Sequence, residues 1–109
     1  MRRVCFTPMA EQDIRDAFKW YHERSPQSAW KWFDSVHAMA DIIVRIPELG
    51  SRWDHGEQRL PEVRSVRIRE FPAWLIVYMD KKGTIRVLRI VHGARDLDAG
   101  LDLGSESAL

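Results

Sequence analysis

The chain has one cysteine, Cys5. An intrachain disulfide is therefore excluded, and a single thiol fits a reducing compartment, so a cytoplasmic location is expected. It also lacks a long apolar run: Met1-Arg2-Arg3 is followed by only Val4, Cys5 and Phe6 before Thr7-Pro8. No signal peptide or membrane span is expected, and no membrane partner. Charge of one sign is missing too. Seventeen Lys and Arg stand against sixteen Asp and Glu, a net charge of +1. General affinity for nucleic acid depends on a surplus of unpaired cations, so direct nucleic-acid binding should be weak or absent. There is no repeat at solenoid spacing, no low-complexity segment and no phosphate-binding glycine loop. His22, His37 and His55 stand apart from one another and from Cys5 at metal-ligand spacing. Neither a metal site nor a cofactor is expected.

The 109 residues that remain suit one domain with a modest core. The charges they carry are unevenly placed. Arg64, Arg67, Arg69, Lys81, Lys82, Arg86, Arg89 and Arg95 lie in the second half, while Asp96, Asp98, Asp102 and Glu106 make the end acidic. The expected division is a domain over 1–96 and an acidic, loosely ordered tail over 97–109, with at most one helical turn after Ala94.

Arg3 to Phe6 reads as a short edge strand. Thr7-Pro8 and Ser25-Pro26 are each an N-cap followed by proline at the first helical position, where its missing N–H costs nothing. Two helices follow, the first ending near Arg24. The first places Ala10, Ile14, Ala17, Phe18 and Tyr21 on one face, and the second Ala29, Phe33, Val36, Ala40 and Ile43. These stripes do not accommodate all of Trp20, Trp30 and Trp32, which are read as covering the edge of a sheet in preference to forming a partner-binding ridge. Ile46-Pro47-Glu48-Leu49-Gly50 stops the second helix and opens a loop expected to run to Pro61. Strands are then predicted over Val63 to Phe71, Trp74 to Met79 and Ile85 to His92, broken at Phe71-Pro72-Ala73 and at the hairpin Asp80-Lys81-Lys82-Gly83-Thr84. In the last strand apolar residues occupy both side-chain parities, as in a strand covered on both faces. The fold class is α+β: a short N-terminal strand and a helical hairpin packed on an antiparallel β-meander.

Several residues carry a resemblance across roughly Val4 to Asp96. They are Pro26, Ala29 and Phe33 opening the second helix, Pro47 and Gly50 closing it, Arg64, Phe71 and Tyr78 in the sheet, and the run Leu88-Arg89-Ile90-Val91-His92-Gly93-Ala94-Arg95-Asp96. In this order and spacing they resemble the RelE/ParE superfamily of toxins from type II toxin-antitoxin (plasmid stabilisation) modules, on its ParE-like branch. The resemblance implies a toxin neutralised by a cognate antitoxin whose helical or extended segment wraps it. It further implies an inhibitor of DNA gyrase that is not itself an enzyme. The alternatives within the superfamily are a ribosome-dependent messenger-RNA endoribonuclease and a non-toxic homologue that only binds an antitoxin.

For RNA cleavage, Arg64, Arg86 and Arg89 would stabilise the phosphate and His92 would be acid or base. Arginine, however, stays protonated and cannot serve as a base. The cleaving branch would carry lysines in the first meander strand and a late tyrosine, and no tyrosine follows Tyr78. No catalytic residue is therefore expected. Arg64, Arg86, Arg89, His92 and Arg95 are instead expected to contact the target or the antitoxin. Against that stand plainer readings: His92 as a hydrogen-bonded or capping residue beside Gly93, and Arg89 in an ion pair with Asp96, Asp98 or a helix acid such as Asp13.

Overall fold

The computed structural model describes residues 3–55, 58–96 and 101–103, with the backbone alone at 54, 55, 58, 59, 94 and 95. Both proline-marked helix starts are in place. In helix α1 (Pro8–Arg24) the Thr7 hydroxyl accepts the Ala10 N–H, and in α2 (Pro26–Arg45) the Ser25 hydroxyl accepts that of Ser28. Each cap satisfies one of the orphan donors of a first turn. Because Ser25 ends one helix and caps the next, the chain must fold back at once, and the two helices pack as a hairpin.

Strand β1 (Arg3–Phe6) lies parallel to β5 (Thr84–His92) at one end of a five-stranded sheet ordered β1-β5-β4-β3-β2. The remaining neighbours, β2 (Ser51–His55), β3 (Gln58–Ile68), β4 (Phe71–Lys81) and β5, are antiparallel. The expected loop from Ile46 to Pro61 is thus overturned. After a 3-10 turn over Pro47–Leu49 the chain forms β2 and returns in β3 from Gln58. Ser51-Arg52-Trp53-Asp54-His55 has one strong strand former among five residues, so its sequence carries little strand signal. Pairing with β3 supplies what propensity does not. The break expected at Phe71-Pro72-Ala73 is displaced to Arg69-Glu70, where Glu70 takes φ 76°, and Pro72 stands within β4 beside a register shift at Arg67/Ile68. An irregular position of that kind is where a strand tolerates the missing N–H. The β4–β5 hairpin turns at Lys82-Gly83 with φ of 51° and 85°, the doubly positive geometry that matches strand twist.

The core has two layers. On the helix side, Trp32, Val36, Met39 and Ile43 of α2 pack with Ala10 and Ala17 of α1 onto Ile68, Trp74, Ile76, Tyr78, Ile85, Val87 and Ile90. Trp32 is fully buried there, so it belongs to the core and not to the sheet edge. The buried stripe of α2 steps through Trp32, Val36, Met39 and Ile43, and Phe33 flanks it half-buried. Trp20 and Trp30 remain exposed, at 48% and 55%. On the far side, Trp53, Val63, Leu75, Val77, Met79, Leu88 and Val91 form a second cluster closed by Leu103. β5 is therefore covered on both faces. A register shift opposite Val77/Tyr78 sets Arg89 against Val77 and Val87 against Tyr78, leaving Leu88 as the extra residue. This bulge shifts the alternation, so that Ile85, Val87 and Ile90 all face the helix layer while Leu88 and Val91 face the far one.

A single helical turn, α3 (Gly93–Asp96), follows β5, and within the expected acidic tail Leu101 packs against the cluster that includes the buried Leu103. The calls on 97–100 and 104–109, including Asp98 and Glu106, lie outside the described residues.

Candidate functional site

Beyond Phe6 the column of the sheet next to β5 is taken over by α1, and side chains replace the missing strand. Thr7 donates its hydroxyl to Leu88 O at 2.9 Å. Asp13 Oδ2 accepts the Ile90 N–H at 3.0 Å, and Asp96 Oδ2 accepts the His92 N–H at 2.7 Å. Asp13 also holds Arg89 side-on, with Nε to Oδ2 at 2.7 Å and a terminal nitrogen to Oδ1 at 3.0 Å. The other terminal nitrogen of Arg89 donates to Asp102 O at 2.5 Å. With its guanidinium held by the Asp13 carboxylate, Arg89 has its pKa pushed above the ordinary arginine value, against a smaller opposing effect of burial.

Around this anchorage lies a cavity of about 510 Å³ between α1, the ends of β4 and β5, and α3. Asp13, Asp16, Ala17, Trp20 and Tyr21 line it from α1, with Trp74, His92 and Asp96 contributed by β4, β5 and α3. Trp74 donates its indole N–H to the Tyr21 hydroxyl at 3.0 Å, and the His92 ring stands edge-on to Trp74 at 5.4 Å between centroids. His92 Nδ1 is buried with no partner among the described residues. At the rim, the Arg24 guanidinium sits 3.8 Å from the centre of the Trp20 ring.

The five residues expected to form a contact surface are spread over the molecule. Arg89 and His92 share this cavity. Arg64, opposite Tyr78 on the helix side, donates to Gly50 O at 2.7 Å and to Glu48 O at 3.4 Å, tying down the turn after α2. Arg86 is paired in register with Met79, which belongs to the far layer. The Arg95 side chain lies outside the described residues. Sequence reasoning named Asp13 as a possible partner of Arg89 but missed the cavity wall of Asp16, Trp20, Tyr21 and Trp74. The spacing Asp13, Asp16, Ala17, Trp20 is itself a helical stripe beside the apolar one, and it was the available signal.

The Tyr78 hydroxyl completes the turn held by Arg64. It donates to Pro47 O at 2.7 Å and accepts the Gly50 N–H at 2.9 Å. Burial raises its pKa above the ordinary tyrosine value, the Gly50 bond and Arg64 opposing. Among the described residues, no group of three His, Cys, Asp or Glu side chains gathers as metal ligands, and no helix is long and apolar enough to cross a membrane.

A family model described as the ParE toxin of the type II toxin-antitoxin system, parDE, matches residues 4–97. The chain belongs to this family. The ParE fold is also seen in a solved structure titled "Chromosomal ParDE TA system from P. aeruginosa". That chain superposes with a TM-score of 0.69 at 18% identity, over 84% of this chain and 96% of the other. No curated protein matches the sequence.

Proposed function

We propose that this ParE-family toxin acts by binding and poisoning DNA gyrase without itself catalysing a reaction, and that a cognate antitoxin neutralises it. Family membership supports the toxin role. The observation that favours a protein target over cleavage of RNA is the company that His92 and Arg89 keep. Their cavity is walled by Asp13, Asp16 and Asp96, and the guanidinium of Arg89 is already engaged by Asp13 and by Asp102 O. A phosphate entering it would meet carboxylates where cleavage needs free cations. The two other arginines a nuclease would recruit are elsewhere, Arg64 on the turn carbonyls and Arg86 in register with a residue of the far layer.

The test is a supercoiling reaction with gyrase, ATP and plasmid, resolved after detergent and protease. Linear DNA that requires both proteins is the expected result. Normal supercoiling without linear product, from toxin shown to be folded, would overturn the gyrase assignment.

A further inference from the structure

The cavity beside Arg89 holds more acid than its own cation answers. Asp13 is engaged by Arg89 and by the Ile90 N–H, and Asp96 accepts the His92 N–H. Asp16, the third carboxylate on the wall, is exposed, accepts only the neutral Gln12 amide at 2.7 Å and makes no ion pair among the described residues. Arg89 is the one lining cation among those residues, and its Nε and both terminal nitrogens are already bonded. Negative charge is thus left over in a space of about 510 Å³, a size within the roughly 300–1,000 Å³ of small-ligand sites.

The rest of the wall is aromatic. Trp20, Tyr21 and Trp74 form a chain of rings, with 5.1 Å and then 6.4 Å between centroids. Trp74 is buried and fixed by its N–H bond to the Tyr21 hydroxyl, so this wall is in place before any ligand arrives. The faces of such rings attract cations, and at the rim Trp20 already receives one, the Arg24 guanidinium at 3.8 Å. His92 adds a further unmet group, since its Nδ1 is buried with no partner among the described residues. We propose that the cavity binds an organic cation, a guanidinium or primary ammonium on an alkyl stem, with Asp16 as its charge partner and the three rings around it. An anion would meet carboxylates there, and a neutral ligand would leave the charge of Asp16 unanswered.

The test titrates the full chain with butylguanidinium and follows the indole N–H signals by NMR. Trp20 and Trp74 should shift saturably, while Trp53, in the far layer, stays still. Butylurea, which has the same shape without the charge, should not saturate the site. Asp16→Asn should keep the circular dichroism spectrum and weaken binding by about threefold to fivefold, and Trp20→Ala by about twofold to fivefold. No saturable shift, butylurea binding equally well, or Asp16→Asn binding as tightly as the wild type would each overturn the proposal. The titration stands whether or not the protein poisons gyrase. Once the site is shown, adding the cognate antitoxin identifies the source of the cation: competition with butylguanidinium assigns it to a basic side chain of that partner, and its absence to a free amine or guanidine.

Discussion

Asp13 and Arg89, 76 residues apart in the chain, meet side-on at 2.7 and 3.0 Å, and the same carboxylate accepts the backbone N–H of Ile90. One α1 residue thus neutralises a charge within an apolar strand and closes that strand's open edge. Both side chains are only about one-sixth exposed, at 15% for Asp13 and 17% for Arg89. Asp13→Ala should cost about 2–4 kcal/mol in urea unfolding, because it strands both the cation and the Ile90 N–H. Arg89→Ala should cost less, since Asp13 keeps the Ile90 bond. Equal losses would show that the Ile90 bond contributes little.

Tyr78→Phe removes a hydroxyl that serves Pro47 O and Gly50 N–H in a buried turn. A loss of roughly 1–3 kcal/mol is expected. The pH dependence has a definite sign. A phenol whose pKa is raised on folding keeps its proton longer in the native state, so its contribution is complete below the unfolded value of about 10 and declines as pH rises above it toward the folded value. Wild-type stability should fall over that alkaline window more steeply than that of Tyr78→Phe. Parallel curves for the two proteins would refute the raised value.

Gly50 is required for space and not for backbone freedom, since its φ is −74°. A β-carbon there would lie 2.8 Å from the Ser65 carbonyl oxygen and 2.8 Å from the Tyr78 hydroxyl. Gly50→Ala should therefore destabilise by about 1–3 kcal/mol. An unchanged midpoint and slope in chemical denaturation would mean that the turn moves freely.

The tryptophans of α2 should separate cleanly. Trp32→Ala opens a cavity in the helix-side layer and should cost about 3–5 kcal/mol, whereas Trp30→Ala, at a site more than half exposed, should cost under about 1 kcal/mol. A Trp30→Ala variant as unstable as Trp32→Ala would place Trp30 in the core.

Local chemistry made much of this fold legible. Thr7-Pro8 and Ser25-Pro26 announce helix starts through the geometry of a cap and a ring-fixed φ, and Lys82-Gly83 announces a tight hairpin, all within a few residues. β2 could not be found in that way, because Ser51 to His55 becomes a strand through pairing with a segment that follows it and not through its own propensity. Trp32 was misassigned for a related reason. Periodicity tells which residues share a helix face, but the width of the buried stripe depends on what packs against it.

The sequence by itself determined the order of the helices and the last two strands, the double coverage of β5 and the family, because those signals are local or depend on residue order. Only the tertiary structure decided which charges are committed. Arg89 is held by Asp13, Arg64 by the carbonyls of a turn, and His92 stands among carboxylates. An arginine carries the same charge wherever it stands. What it can do depends on the partners that folding brings to it.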